Sequence, residues 1–265
     1  MRFALNHITA PHLPLAAFLA LAGRLGCDEV EIRNDIPDLT GEDPALIARM
    51  ARDAGLAILS VNALYPFNLW TPDLAQRAER LADFAAACGA QALVLCPLND
   101  GNHITHSATV DALDHLTAIL APRNLMGLVE PLGFEQSSLR RKAEAIAAIA
   151  ESGGFDRFRV LHDTFHHHLA AETQFYPRRT GLVHVSGIAD PALAVGEMLD
   201  AHRGLVDADD RLQNAAQLAA LISDGYDGPI SFEPFAAEVH GLDDIESALR
   251  HSMQHLRASI QAAEA

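Results

Sequence analysis

Lysine is almost missing from this sequence: Lys142 is the only one in 265 residues. It lies in the basic run Arg140-Arg141-Lys142. Schiff-base catalysis needs a lysine amine in the site, so aldolase-type chemistry has little to work with. Cysteine is scarce and scattered. Cys27, Cys88 and Cys96 make no disulfide framework and fit a reducing compartment, so a cytoplasmic location is expected. Positive charge is in short supply, with 19 basic against 35 acidic residues and a net charge of −16. Such a chain repels phosphate backbones, and nucleic acid is not an expected partner. No apolar run approaches the ~18 residues of a membrane span. The first residues, Met1 to His7, turn polar too early for the apolar core of a signal peptide, so neither membrane insertion nor secretion is expected. There is no Gly-x-x-x-x-Gly-Lys or Gly-x-Gly-x-x-Gly stretch, and no nucleotide cofactor is expected.

What is present is apolar and regular. Hydrophobic residues make up 49% of the chain, enough for a sizeable core, and the length matches the ~250 residues of a (β/α)8 barrel. Eight short apolar runs alternate with Ala/Leu-rich helical stretches. The runs are 3–6, 29–33, 58–62, 92–96, 126–130, 158–162, 182–185 and 229–233. Helices are expected near 15–25, 44–54, 73–88, 107–120, 138–151 and 242–262. Strands of this kind fit a parallel sheet buried on both faces. With no linker or second composition regime, the reading is α/β: one (β/α)8 TIM-barrel domain over residues 1–265.

Barrel active sites lie at the C-terminal strand ends. The fifth run ends at Glu130, the sixth is followed by Asp163, the seventh carries His184 and the eighth ends at Glu233. These four are the expected metal ligands, on four consecutive strands. Three carboxylates and one imidazole suit Mn²⁺, Mg²⁺ or Co²⁺, and Zn²⁺ also takes such ligands. A carboxylate at a strand end is also a common helix N-cap, and a lone histidine often sits hydrogen-bonded in a core.

Other rim residues follow. His166 lies three residues after Asp163 and would share its side of the site if a helix starts there. Its neighbours His167 and His168 read as solvated surface. Arg33 could bind a substrate oxygen or pair with Glu31, Asp35 or Asp38. Arg211 lies in the long segment before the last strand, and long loops in compact domains are often functional. Asn62 ends the third run. Ser137 and Ser138 read as helix caps, and Cys96, beside Pro97, as buried and inert.

These segments resemble the xylose-isomerase-like sugar isomerase/epimerase barrels, and among them the inosose (2-keto-myo-inositol) isomerases of inositol catabolism. The resemblance runs end to end. It rests on Glu31-Ile32-Arg33, Val61-Asn62-Ala63-Leu64, Cys96-Pro97-Leu98, Glu130-Pro131-Leu132-Gly133-Phe134, His162-Asp163-Thr164-Phe165-His166, Val183-His184-Val185, Asp209-Asp210-Arg211 and Ser231-Phe232-Glu233-Pro234-Phe235. It implies one divalent metal on Glu130, Asp163, His184 and Glu233, with His166 and Arg211 contacting substrate. The Pro-Gly-x-Gly stretch of the inosose isomerases reads Leu212-Gln213-Asn214-Ala215 here, and a glutamate common in sugar epimerases is Gln136. The expected partner is a small polyol or ketose, turned over through a metal-stabilised cis-enediolate. Glu130 and Glu233 would carry the proton, and Arg33, Asn62, His166 and Arg211 would hold the substrate. The rival readings are a keto-inositol dehydratase, an endonuclease of the same barrel superfamily and a non-catalytic binding protein. A homo-oligomer is compatible with all of them.

Overall fold

The computed structural model describes residues 1–36 and 42–264. Eight parallel strands close in chain order: β1 (Arg2–Asn6), β2 (Glu29–Arg33), β3 (Ala57–Leu64), β4 (Ala92–Leu95), β5 (Met126–Val129), β6 (Phe158–Asp163), β7 (Thr180–Val185) and β8 (Pro229–Phe232). Closure is made by β1 on β8, with Ala4 opposite Ser231 and Leu5 opposite Phe232. This is the (β/α)8 barrel expected from the alternation of runs.

The helices between strands are α1 (Leu15–Arg24), α2 (Pro44–Asp53), α3 (Pro72–Ala87), α4 (His106–Leu120), α5 (Lys142–Glu151), α6 (Thr164–Leu169) and α7 (Asn214–Ser223). After β8 come α8 (Ala237–His240) and α9 (Ile245–Glu264). Their starts follow from side-chain caps. Asp43, Thr71 and Thr105 each accept a first-turn backbone N–H, and Pro44 and Pro72 occupy first helical positions, where no donor is wasted. Among the described residues no helix is long and apolar enough to cross a membrane.

Strand side chains alternate between two apolar regions. Residues such as Phe3, Leu5, Val30, Ile32, Val61, Leu93, Val129, Val160, Val183 and Ile230 pack outward against the helices. A smaller group, Ala4, Leu59, Ala92, Val94, Leu128, Leu161 and Leu182, clusters separately. A third group, including Phe134, Phe165, Leu169, Ile188, Met198 and Leu212, joins the loops after β5 and β7 to α6.

Two expected helices begin elsewhere. The fifth starts at Lys142, because residues 130–141 are held by neighbouring loops: Ser138 N–H donates to Leu98 O, and Leu132 N–H to Leu139 O. Ser137 and Ser138 are therefore not caps, and Ser138 Oγ accepts instead from Asn68 Nδ2. The last helix begins at Ile245 rather than near 242, after the short α8, which ends at His240 with Gly241 as its C-cap.

Candidate metal centre

Strand register brings the site together. Asp163 on β6 lies opposite His184 on β7. Glu130 directly follows β5, its N–H donating to Leu95 O of β4, and Glu233 directly follows β8, its N–H donating to Val185 O of β7. One ligand atom from each of Glu130, Asp163, His184 and Glu233 lies within 4.8 Å of the other three, and all four side chains are buried. Donors about 2.0–2.6 Å from one ion lie at most about 4–5 Å apart, so the spacing fits a single divalent cation.

The chemistry of the donor set fits as well. His184 Nδ1 points among the carboxylates, 3.0 Å from Glu233 Oε2, 3.4 Å from Glu130 Oε1 and 4.0 Å from Asp163 Oδ2. It is buried and forms no hydrogen bond there. A buried nitrogen left without a partner beside three carboxylate oxygens is suited to a metal ion. Burial alone would lower the His184 pKa, but Glu233 and Glu31 outweigh it and hold it well above the ordinary value. Burial alone would raise that of Glu233. The cations His184, Arg203 and Arg33 outweigh it and hold this carboxyl well below the usual range.

Asp163 satisfies both readings of a strand-end carboxylate. Its Oδ1 caps α6, accepting from Phe165 N–H (2.7 Å) and His166 N–H (3.0 Å). Its Oδ2 faces the centre and accepts from Arg203 Nη2 at 2.6 Å. His166, one turn into α6, is buried, packs edge-on against Phe134 and leaves Nδ1 without a partner. The loop bearing Phe134 lies so close to α6 that a Cβ on Gly133 would collide with the His166 carbonyl.

The remaining predicted residues divide. Arg33 makes a bidentate pair with Asp35 and also reaches Glu233 Oε1 at 3.2 Å, so it is both salt-bridged and at the site. Asp38, another expected partner, lies outside the described residues. Asn62 is buried, and its Nδ2 is committed to Glu31 Oε2 and Ser60 Oγ, both at 2.8 Å. Arg211 does not join the carboxylates: its Nη1 donates to the carbonyls of Asp190 and Leu193. Arg203 takes that place, bridging Asp163 Oδ2 and Glu233 Oε2 (2.9 Å) with Nε on Ser186 Oγ. A short antiparallel bridge between Gly187 and Gly204 puts Arg203 there.

His167 is not surface. It is buried against the His162 and Phe175 rings, and its Nδ1 lies 2.6 Å from Lys142 Nζ. Cys96 is half-buried and donates to Glu130 Oε2 at 3.3 Å, so it borders the site. Sequence reasoning missed Arg203 outright, and it saw Glu31 only as an ion-pair partner for Arg33. The usable signals were the glycine following Arg203 and the Glu29-x-Glu31-x-Arg33 alternation, which puts three charged side chains on one face of β2.

The chain is a closed parallel barrel with a buried carboxylate–imidazole cluster at its C-terminal rim. The chain belongs to the xylose isomerase-like TIM barrel family, whose model matches residues 19–259. A xylose isomerase domain-containing protein from Salmonella typhimurium LT2 is 36% identical, with a TM-score of 0.91, covering 98% of this chain and 97% of that one. The IolI protein, solved with a bound zinc atom, is 21% identical with a TM-score of 0.86 and covers 99% of both chains. D-Psicose 3-epimerase from Clostridium cellulolyticum H10, solved with D-tagatose, is 14% identical with a TM-score of 0.73, covering 98% of this chain and 99% of that one. No curated protein matches the chain.

Proposed function

We propose that this protein is a divalent-metal-dependent isomerase or epimerase of a keto-polyol or ketose, with inosose-like compounds as its substrate class. The observation that carries the reading is the convergence of Glu130, Asp163, His184 and Glu233 on one ion-sized space. The zinc atom in IolI and the ketose in the psicose epimerase, on the same fold, support it. Mn²⁺, Mg²⁺ and Co²⁺ are the favoured ions for a site of three carboxylates and one imidazole, and Zn²⁺ is the alternative.

When bound, the ion would supply a Lewis acid for negative charge that develops on substrate oxygen. The chain's own residues move the proton. A carbon bearing a hydroxyl beside a carbonyl is acidic, and a carboxylate on one face removes its proton. Glu130 and Glu233 are the two acids, approaching from β5 and β8. They differ in how firmly they are held. Glu233 accepts from Asn6, Arg33 and Arg203, whereas among the described residues the one hydrogen bond to the Glu130 carboxylate is from the weak Cys96 thiol. Glu130 is therefore freer to turn toward substrate, and Glu233 is positioned to act on the other face. Arg203 takes the substrate-contacting role expected of Arg211. With Arg33 and the unpartnered Nδ1 of His166 it would hold substrate oxygens. Phe134, beside His166, forms an apolar wall.

The test is proton exchange in D₂O with metal-loaded protein and inosose or a ketohexose. Deuterium entering the carbon next to the carbonyl, with water retained in the product, supports the proposal. Loss of water assigns a dehydratase instead. No exchange with any ketose, together with nicking of DNA, overturns the reading in favour of the endonucleases.

A further inference from the structure

His184 has two ring nitrogens and two different surroundings. Nδ1 faces the carboxylates of the metal centre. Nε2 faces Glu31 on β2, lying 2.9 Å from Oε1 and 3.1 Å from Oε2. An ionised carboxylate only accepts, so Nε2 must carry the hydrogen. In the neutral ring the lone pair then lies on Nδ1, the atom that faces the cluster.

Glu31 is itself immobilised. It is fully buried, and its oxygens accept from Ser60 Oγ (2.6 Å), Asn62 Nδ2 (2.8 Å) and Asn6 Nδ2 (3.5 Å). Three neutral donors from β1 and β3 thus fix a carboxylate against a ring on β7, across the barrel. No arginine or lysine pairs with Glu31 among the described residues, and His184 is its sole ion-pair partner there. Burying a carboxylate is costly unless something offsets it. A neutral amide oxygen could hold the ring's orientation. The carboxylate's negative charge adds electron density to the imidazole and makes Nδ1 a stronger donor.

We propose that Glu31 is a positioning residue for the metal centre: it selects the His184 tautomer, fixes the ring and strengthens Nδ1 as a metal donor, so that it sets the centre's affinity for ions that bind imidazole well. The inference rests on the reading of Glu130, Asp163, His184 and Glu233 as ligands. Asn62 and Ser60 then act one step further out, by holding Glu31.

The experiment is calorimetric titration of chelator-stripped protein with Mn²⁺ and with Zn²⁺, comparing wild type, Glu31→Gln and Ser60→Ala. Loss of such a partner typically weakens metal binding about 10–100-fold. That loss is expected for Glu31→Gln, with a smaller one of the same direction for Ser60→Ala. ¹⁵N spectra of the imidazoles add a readout that general loosening would not give. The His184 resonances, assigned by their absence in His184→Asn and recorded in metal-free protein at a pH high enough to leave the ring neutral, should report Nε2–H in wild type and a tautomer mixture in Glu31→Gln. Folded Glu31→Gln that binds both ions within about twofold of wild type and keeps the Nε2–H tautomer overturns the proposal. If Glu31→Gln does not fold, Ser60→Ala decides by the same two readouts. Wild type that binds neither ion instead overturns the ligand reading beneath it.

Discussion

Replacing Arg203 by alanine probes the electrostatic balance of the barrel mouth. The side chain is 2% exposed and gives one nitrogen, Nη2, to both Asp163 Oδ2 and Glu233 Oε2. Its Nη1 reaches Asp200, and the guanidinium lies 4.7 Å from the Phe235 ring centre and 5.1 Å from that of Phe165. Truncation leaves two carboxylates facing each other in a buried space that already holds Glu31 and Glu130. Removing one partner of a buried ion pair costs about 3–5 kcal/mol. At roughly 2–4 °C per kcal/mol for a chain approaching this size, Tm in chelator should fall by about 6–20 °C. A divalent cation replaces the missing positive charge and no longer meets the repulsion of the guanidinium. Mn²⁺ should therefore raise the Tm of the variant by more than it raises that of wild type, since stabilisation by a ligand grows with its affinity. The assay is thermal unfolding followed by circular dichroism, with chelator and with excess Mn²⁺. A variant melting within about 2 °C of wild type in chelator, a loss of less than about 1 kcal/mol, would refute the reasoning. So would a smaller Mn²⁺ effect in the variant.

Two further outcomes follow from named contacts. Burial, with Lys142 and His168 adding to it, pushes His167 down to about 3 from its ordinary 6.5. The unfolded chain therefore takes up a proton below pH 6.5 that the native state refuses. Stability should fall as pH drops below that value, by about 1.4 kcal/mol per unit, or roughly 2 kcal/mol at pH 5 from this group. Urea denaturation at pH 7 and pH 5 checks it, and His167→Gln should shrink the difference. An unchanged difference would remove His167 as its source. Separately, Asp163→Asn keeps an oxygen able to cap α6 but replaces the anionic Oδ2 with a neutral amide, so excess Mn²⁺ should restore much of its activity. Glu233→Gln also loses a proton-transfer group, and about 10²–10⁴ in rate should remain missing at saturating Mn²⁺. Equal rescue of both would make Glu233 a ligand only.

The barrel was legible because each strand is a short apolar run bounded by polar or glycine residues, and that periodicity is local. The rim carboxylates were legible for the same reason: a residue at a strand end has a known place in a closed barrel. Arg203 was not legible because no periodic pattern covers the segment between β7 and α7. Its position depends on Gly187 and Gly204 pairing their backbones, a contact between residues far apart in sequence. By residue type alone Arg211 is indistinguishable from it. Glu31 was visible, but its partner His184 stands on the opposite side of the barrel, and the spacing within β2 says nothing of contacts across the interior. His167 follows the predicted His166, yet successive helical positions point about 100° apart, so one faces the mouth and the other turns to Lys142.

The central claim is that four side chains hold one divalent ion. Crystals soaked in Mn²⁺ and measured for anomalous scattering test it most directly. The account predicts one strong peak, about 2.0–2.6 Å from Glu130, Asp163, His184 Nδ1 and Glu233. A peak elsewhere, or none with these four side chains still converged and the Arg203 guanidinium still between Asp163 and Glu233, would contradict it.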